Sequence, residues 1–318
     1  MKAAIRSRYG SPEVLTVNDI PIPTPEDDEV LIKIHATTVN RTDCGVLMGK
    51  PHFSRLFTGI FKPRFTITGS DFAGQIEALG SHVKSFNMGD RVMGFGGMSG
   101  PGSHAEYVAF RETKGIITIP EGLSYDLAAA SMEAPFYAWV GVKYLKPKVG
   151  QKALVYGATG AIGSSYVQFL KHYGVYVTAV CGGENRALVA SFGADKIIDY
   201  KTEDFTKDTE RYDFVFDAVG KASFTKCKRL LARKGIYVWS DGMINILLAM
   251  FTPLFGGKKV VFYPPTNIKE GISFIKTLIE HGSFKPIIDR KYPIERIADA
   301  FKYVDSGQKV GSVIITPA

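Results

Sequence analysis

Three glycines spaced three residues apart mark a site that could hold a phosphate group. Residues 153–163 read ALVYGATGAIG, an apolar strand followed by Gly157, Gly160 and Gly163 at the start of a predicted helix. Glycine lets the backbone turn sharply and approach phosphates, and the first turn of a helix offers free N–H groups and a positive dipole end. The spacing is GxxGxxG and not GxGxxG, so the glycines alone are weak evidence. Their position between a strand and a helix is what indicates a pyrophosphate site. The alternative is that the glycines serve only close packing of the strand against the helix.

Charges after the second predicted strand bear on which dinucleotide would bind. NAD-specific sites place an acid about 20 residues beyond the glycine loop. Here the strand ends at residues 180–183 (VCGG) without a carboxylate, and Arg186, Tyr200 and Lys201 follow. Basic groups suit a 2′-phosphate, so this pattern favours NADPH over NADH. Glu184 in the same segment argues against that preference, and Arg186 is equally compatible with a solvated helix residue.

The glycine loop lies in a region where predicted strands and helices alternate, from residue 152 to residue 240. Such alternation predicts a doubly wound parallel sheet. Residues before Pro120 alternate in period two and are interrupted by glycines and prolines, which is typical of a β-rich, barrel-like unit. We predict that a catalytic domain comprises residues 1–122 and 266–318, and that residues 123–265 form an inserted dinucleotide-binding domain.

The composition is that of a globular protein. Hydrophobic residues make up 45% of the 318 residues and charged ones 22%, which allows a sizeable core. The net charge of +8 is spread along the chain, so it suits phosphate-bearing ligands without identifying one. Cys44, Cys181 and Cys227 are far apart and form no CxxC pair, which indicates a reducing compartment.

Targeting and membrane segments are not apparent in the sequence. The amino terminus runs into strand-like sequence without the apolar core of a signal peptide. The longest apolar run, residues 243–255, contains Asn245 and Pro253 and is too short to cross a bilayer. We therefore expect a cytoplasmic protein with no membrane contact, in which this run is a buried or interfacial helix.

Several motifs, ordered along nearly the whole chain, resemble the medium-chain dehydrogenase/reductase superfamily in its zinc-free quinone oxidoreductase branch, which is related to zeta-crystallin. The motifs are VNRTD at 39–43, GSDFAG at 69–74, GDRV at 89–92, AEYV at 105–108, the glycine loop at 157–163, FDAVG at 216–220 and KPIID at 285–289. The resemblance implies a GroES-like β-rich catalytic domain and a Rossmann domain, with the active site in the cleft between them.

The same resemblance implies particular site residues. It places Asn40 beside the nicotinamide and substrate, and Thr42 where zinc-containing relatives keep a hydroxyl for proton relay. The alternatives are that Asn40 only caps a turn and that Thr42 has no catalytic role. The expected cofactor-binding residues are Gly157, Thr159, Gly160, Ala161, Ile162, Gly163, Gly182, Asn185, Arg186, Tyr200, Val219, Gly220, Ser240, Phe262 and Tyr263.

Zinc alcohol dehydrogenases share this fold but bind a catalytic metal through a Cys in the first motif and a His-Glu pair in the second. Here those places carry Asn40, Ser70 and Asp71. Neither Asn nor Ser is a usual zinc ligand, and three scattered cysteines cannot form a structural zinc site. Without a strong Lewis acid, the acceptor must take hydride readily, as quinones and conjugated enones do.

The sequence therefore predicts a zinc-independent NADPH-dependent oxidoreductase that acts on a small-molecule quinone or enone, with NADH also possible. One alternative is a non-enzymatic NADPH-binding, structural or nucleic-acid-binding protein of the zeta-crystallin type; nucleic-acid binding would require a basic face, which a sequence by itself cannot display. Another is an alcohol dehydrogenase. We also expect a homodimer in which an edge strand at Val260–Tyr263 pairs between subunits and residues 243–255 cover the interface.

Overall fold

The computed structural model describes residues 1–97, 100–239, 243–255, 257–264 and 266–317. It divides into two compact units. The first unit comprises Met1–Phe136, Asn267–His281 and Lys285–Ala318, and the second comprises Tyr137–Thr266 and Gly282–Phe284. The helix at Tyr125–Ala130 contacts strands of the first unit. The domain bounds at residues 122 and 266 stay a prediction.

Strands and helices follow one another along the chain with these bounds. The strands are β1 (Lys2–Ile5), β2 (Thr16–Asp19), β3 (Glu29–Val39), β4 (Asp71–Leu79), β5 (Arg91–Phe95), β6 (Tyr107–Arg111), β7 (Ile116–Thr118), β8 (Lys152–Tyr156), β9 (Tyr176–Cys181), β10 (Lys196–Asp199), β11 (Tyr212–Asp217), β12 (Leu231–Val238), β13 (Lys259–Val261), β14 (Ile288–Pro293) and β15 (Ser312–Thr316). The α-helices are α1 (Arg41–Met48), α2 (Arg55–Thr58), α3 (Tyr125–Ala130), α4 (Glu133–Leu145), α5 (Ala161–His172), α6 (Arg186–Ser191), α7 (Phe224–Cys227), α8 (Met243–Phe251), α9 (Ile268–Glu280) and α10 (Ile297–Asp305).

The second unit contains a six-stranded parallel sheet in the order β10-β9-β8-β11-β12-β13. Its central strands are continuous apolar runs because helices cover both faces of such sheets. Numbered within the unit, the order is 3-2-1-4-5-6, the arrangement of dinucleotide-binding Rossmann folds. The predicted doubly wound parallel sheet is confirmed.

The first unit is built on an antiparallel-rich sheet in the order β14-β15-β3-β4-β5-β7, with β6 also pairing with β3. The long strand β3 alternates buried and half-buried residues, and its inward side chains join the core formed with β4 and β6. Strand β3 ends at Val39, and its partner β4 begins at Asp71. Because the two strands run antiparallel, the end of one and the start of the other lie at the same edge of the sheet.

Strand β8 precedes the glycine loop, as predicted. Helix α7 ends at Cys227, and Leu231 already pairs with Tyr212 of β11. The apolar run forms α8 and a 3₁₀ turn (Thr252–Phe255), with several exposed side chains: Leu247, Met250, Phe251 and Leu254. Within the described part of the chain, no helix combines the length and apolarity needed to cross a bilayer.

Candidate active site

The glycine loop connects β8 to α5 in the second unit. Gly157 has φ +84°, and a Cβ there would lie 2.0 Å from a methyl group of Val219. A Cβ on Gly163 would lie 2.0 Å from the carbonyl oxygen of Gly157. Gly160 is the N-cap of α5. A Cβ added at Gly160 would lie 3.5 Å from the nearest atom. Close packing therefore accounts for Gly157 and Gly163, but it leaves Gly160 with an open side at the helix N-terminus.

Most of the predicted cofactor residues follow the carboxyl ends of neighbouring parallel strands, where ligands bind in folds of this kind. Thr159, Ala161 and Ile162 lie at the start of α5, while Gly182 and Asn185 follow β9 and Tyr200 follows β10. Val219 and Gly220 follow β11, and Phe262 and Tyr263 follow β13. The structure thus brings the glycine loop and the loops after β9, β10 and β11 to one edge of the sheet. Ser240 lies outside the described residues.

Asp217, at the end of β11, organises one of these loops and was missed by the sequence reasoning. Its Oδ1 accepts hydrogen bonds from the backbone N–H groups of Val219 (3.1 Å) and Gly220 (2.8 Å). Its Oδ2 accepts from the Tyr237 hydroxyl at 3.0 Å. An acid directly after an apolar strand and before Gly is the sequence signal that could have indicated this turn-forming role.

Each of the two predicted cofactor residues after β13 contacts another aromatic ring. The ring of Tyr263 stacks on Tyr144 at 4.6 Å between centroids, and Phe262 lies 5.1 Å from Trp239. Phe262 remains half exposed. These rings supply apolar surface, and their contact with a dinucleotide stays a prediction.

The charges proposed for a 2′-phosphate are partly paired with each other. Lys201 Nζ donates to Glu184 Oε1 at 2.8 Å, and both side chains are more than half exposed. This hydrogen bond lowers the pKa of Glu184 and raises that of Lys201. Arg186 donates to the Ile197 carbonyl at 3.3 Å, and Tyr200 is half exposed. The cation of Lys201 is therefore neutralised by Glu184.

Asn40 belongs to a buried polar network in the first unit. Asn40 is the N-cap of α1, and the residue is 5% exposed. Its backbone N–H donates to Asp43 Oδ2 at 2.8 Å. The amide Nδ2 donates to Glu133 Oε2 at 3.1 Å and to Asp71 Oδ2 at 3.2 Å. Asn40 therefore lies at a helix N-cap, and its amide also hydrogen-bonds to two carboxylates. Direct contact between Asn40 and a substrate stays a prediction.

Glu133, at the start of α4, is the centre of this network and was missed by the sequence reasoning. It is 2% exposed and accepts hydrogen bonds from the Asn40 amide and from the hydroxyl of Ser70. Thr42 itself is only half-buried. A lone acid within the apolar, Ala-rich segment 128–140 was the available signal, since an unpaired charge is costly to bury.

Burial shifts the titration of these acids upward. The pKa of Asp71 is raised to about 7 by burial and by the charge of Glu133. Burial also raises the pKa of Glu133, and burial with the Glu133 charge raises that of Asp43 well above the ordinary value. Lys309, near Glu133, has its pKa lowered to about 8 by burial. The network therefore retains protons at a pH where exposed carboxylates are ionised.

Zinc does not fit this donor set. The Asn40 amide donates its protons into the network, Ser70 donates to Glu133, and burial keeps the Cys44 thiol protonated by raising its pKa to about 12. Zinc sites instead use thiolate, imidazole and carboxylate ligands in a tetrahedral arrangement. The residues that the structure describes contain no group of three His, Cys, Asp or Glu side chains placed to hold a metal ion.

Two family models match the chain. Residues 26–121 match the alcohol dehydrogenase GroES-like domain, and residues 192–315 match a family described as zinc-binding dehydrogenase. The first match confirms the predicted GroES-like domain. The name of the second refers to zinc, although the positions discussed above carry Asn40 and Ser70.

Curated relatives extend over the whole chain. It is 33% identical to 2-methylene-furan-3-one reductase from Solanum lycopersicum, covering 100% of this chain and 79% of that protein. It is 33% identical to the chloroplastic NADPH-dependent alkenal/one oxidoreductase from Arabidopsis thaliana, with 100% and 80% covered. It is 30% identical to the Homo sapiens quinone oxidoreductase, with 96% and 94% covered.

Solved structures show the same architecture. The quinone oxidoreductase from Coxiella burnetii superposes with a TM-score of 0.89 at 26% identity, covering 100% of this chain and 99% of that one. An NAD-dependent alcohol dehydrogenase superposes with a TM-score of 0.85 at 24% identity and full coverage of both chains, which supports the fold alone.

Proposed function

Because this chain belongs to the quinone oxidoreductase branch of the medium-chain dehydrogenase/reductase superfamily and is an oxidoreductase, we propose that it reduces quinones or α,β-unsaturated carbonyls with NADPH and without zinc. The observation that carries the proposal is that two neutral hydrogen-bonding groups, Asn40 and Ser70, donate to the buried Glu133 where metal-dependent relatives have ligands. The names of the relatives support both acceptor classes.

The second unit fits a nicotinamide dinucleotide. Gly160 and the first turn of α5 would hold its pyrophosphate, since they combine an open backbone with free N–H groups. Arg186 and Lys201 would hold a 2′-phosphate, and the name of the Arabidopsis relative supports NADPH. When bound in reduced form, the cofactor supplies a hydride.

Residues of the first unit would handle the charge that hydride addition leaves on the acceptor. Thr42 would donate a hydrogen bond to that negative charge, because it is half-buried and follows the network residue Asn40 by two positions. Asn40 would hold Glu133 and Asp71 in place through its amide. Quinones and enones suit a site without a metal because they accept hydride readily.

The proposed assembly is a homodimer formed through the second unit. Strand β13 is the edge of the parallel sheet, and Leu247, Met250 and Phe251 of the preceding helix α8 are more than half exposed. An edge strand beside apolar side chains suits pairing with a second copy. Light scattering at micromolar concentration tests this, and a monomeric mass would contradict it.

A panel of acceptors tests the reaction. Absorbance follows the oxidation of NADPH with quinones and 2-alkenals, and the reduction of NADP with saturated alcohols. Each assay is run with and without a chelator. We expect turnover of quinones or alkenals that a chelator leaves unchanged. Alcohol oxidation abolished by the chelator would overturn the proposal. Binding of NADPH without turnover of any acceptor would instead favour a binding protein.

A further inference from the structure

A loop in the first unit holds large apolar side chains out into solvent. We call residues 55–64, which comprise helix α2 and the turn after it, the tip loop. Leu56 is 70% exposed, Ile60 58% and Phe61 96%. Single apolar side chains are common on protein surfaces, whereas several in one short segment mark a surface that binds a partner.

Internal contacts hold the tip loop in this shape. The Arg64 N–H donates to the Thr58 carbonyl at 2.7 Å, which closes the turn. Gly59 has φ +118°, and a Cβ there would lie 2.0 Å from the Lys62 carbonyl oxygen. The Tyr9 hydroxyl donates to the Gly59 carbonyl at 2.6 Å. A defined turn therefore presents the apolar side chains.

Positive charge accompanies these apolar side chains. Residues 44–70 include Lys50, Arg55, Lys62 and Arg64 but no Asp or Glu. Lys50, Lys62 and Arg64 are exposed, and the Arg55 guanidinium lies 4.7 Å from the centre of the Tyr9 ring. In the part of the chain that the structure describes, none of the four cations forms an ion pair with an acid. The tip loop therefore combines apolar side chains with a local excess of positive charge.

We propose that the tip loop docks on the surface of an anionic lipid bilayer. Phe61 and its apolar neighbours insert among the lipids, and the cations contact the negative headgroups. Peripheral membrane proteins typically combine two such signals, because each of them alone binds weakly. Docking goes beyond the proposed function and does not depend on it. It departs from the prediction of no membrane contact, since docking on a surface needs no segment that crosses the bilayer.

A bilayer suits this surface better than a macromolecular partner does. Two copies of the chain that met through their tip loops would oppose four cations with four cations. A stable protein interface buries about 800 Å² on each partner, which three side chains do not supply, and lysine is depleted at its centre. Nucleic acid would attract the cations but offers no apolar phase for Leu56 and Ile60. A fluid bilayer accepts a narrow apolar tip and surrounds it with negative charge.

Docking would bring the protein to a class of acceptor. The tip loop lies shortly after α1, the helix that Asn40 caps, so it belongs to the unit that carries the buried polar network. Quinones with long hydrocarbon tails dissolve in bilayers and not in water. We therefore expect docking to favour such acceptors, and this consequence rests on the proposed function.

Sedimentation with lipid vesicles tests the docking. Vesicles of phosphatidylcholine are compared with vesicles that also contain phosphatidylserine. Wild type should bind only the second kind, and more weakly as salt is raised. Phe61→Ser should weaken binding about tenfold, and Lys62→Gln and Arg64→Gln about fivefold each. The controls Met88→Ser and Lys114→Gln, at exposed positions of the same unit, should bind as wild type does.

Turnover gives a second readout. With a long-tailed quinone embedded in the phosphatidylserine vesicles, Phe61→Ser should raise KM about tenfold. With a short quinone in solution, its kinetics should match those of wild type. Thermal melts should show that all variants keep the wild-type stability, because the changed side chains are exposed. If Phe61→Ser does not fold, Ile60→Ser makes the same test.

The outcomes separate docking from the proposed function. Equal binding of wild type to both kinds of vesicle, or unchanged binding of Phe61→Ser, would overturn the docking. Weaker binding in the charge variants alone would overturn it in favour of a polyanion site. A change of molecular mass in Phe61→Ser, measured by light scattering, would overturn it in favour of a second copy. Wild type that reduces no acceptor would overturn the proposed function, while sedimentation still decides the docking.

Discussion

Glu133 in the first unit and Glu184 in the second are the same side chain in opposite surroundings. Glu133 is 2% exposed and receives hydrogen bonds from neutral groups, whereas the Glu184 side chain is 57% exposed and pairs with Lys201. Burial raises the pKa of the first, and the lysine lowers the pKa of the second. The surroundings therefore shift the pKa of the two glutamates in opposite directions.

This comparison extends to the neighbours of each acid. Burial and the charge of Glu133 raise the pKa of both Asp71 and Asp43, and the charge of Asp71 also raises that of Asp43. At the exposed position, solvent screens the Glu184–Lys201 pair, which contributes little to stability. We therefore expect substitutions in the first network to change pH dependence and chemistry, and substitutions around the second to change ligand affinity.

The largest expected effect is on stability as a function of pH, through Asp71→Asn. The folded protein keeps the Asp71 proton until about pH 7, whereas the unfolded chain loses it near pH 4. Between these values the folded state binds more protons, so this group makes the free energy of unfolding fall as pH rises, by about 1.4 kcal/mol per unit. Asp71→Asn should remove that slope in urea titrations, whereas the exposed control Asp19→Asn should retain it. Parallel curves for wild type and Asp71→Asn would contradict the buried titration.

The next effect is on turnover, through Thr42→Val, which removes a hydroxyl with little change in shape. We expect kcat with a 2-alkenal to fall about 100-fold, because the variant lacks the hydroxyl that is proposed to stabilise the negative charge left by hydride addition. NADPH affinity should stay within twofold, as measured by fluorescence titration. Thr16→Val, on the exposed strand β2, should behave as wild type. A loss of affinity with an unchanged kcat would assign Thr42 to binding instead.

Two substitutions in the glycine loop separate the effect of close packing from the effect of ligand binding. Gly163→Ala places a Cβ 2.0 Å from a backbone oxygen and should lower the free energy of unfolding by about 1–3 kcal/mol. Gly160→Ala meets nothing closer than 3.5 Å and should keep the melting temperature while weakening NADPH binding about tenfold. Thermal melts and fluorescence titrations measure both. Unchanged NADPH affinity in Gly160→Ala would argue against a pyrophosphate at this helix end.

The smallest expected effect concerns the choice between NADPH and NADH. Glu184→Gln removes the carboxylate that neutralises Lys201, which leaves a free cation for the 2′-phosphate. We expect NADPH affinity to rise about threefold at low salt and NADH affinity to stay the same. Glu203→Gln, an exposed acid after β10, is the control. An equal rise for both cofactors would indicate a general charge effect.

The sequence determined the fold and the position of the glycine loop. Apolar runs, their alternation with helices and the glycine spacing are local patterns, and local patterns fix secondary structure and its order. The motifs around Asn40 and Ser70 likewise indicated that zinc ligands are replaced. These conclusions required only neighbouring residues in the chain.

Only the tertiary structure joined Glu133 to Asn40, which lies 93 positions earlier in the chain, and to Ser70. The pairing of β3 with β4 brings the segments that carry Asn40 and Ser70 together, and no local period encodes it. The same holds for the raised pKa values of Glu133 and Asp71, because a carboxyl pKa depends on burial and on charges that distant segments bring near. The residue types were readable in advance, but their electrostatic roles arose from the fold.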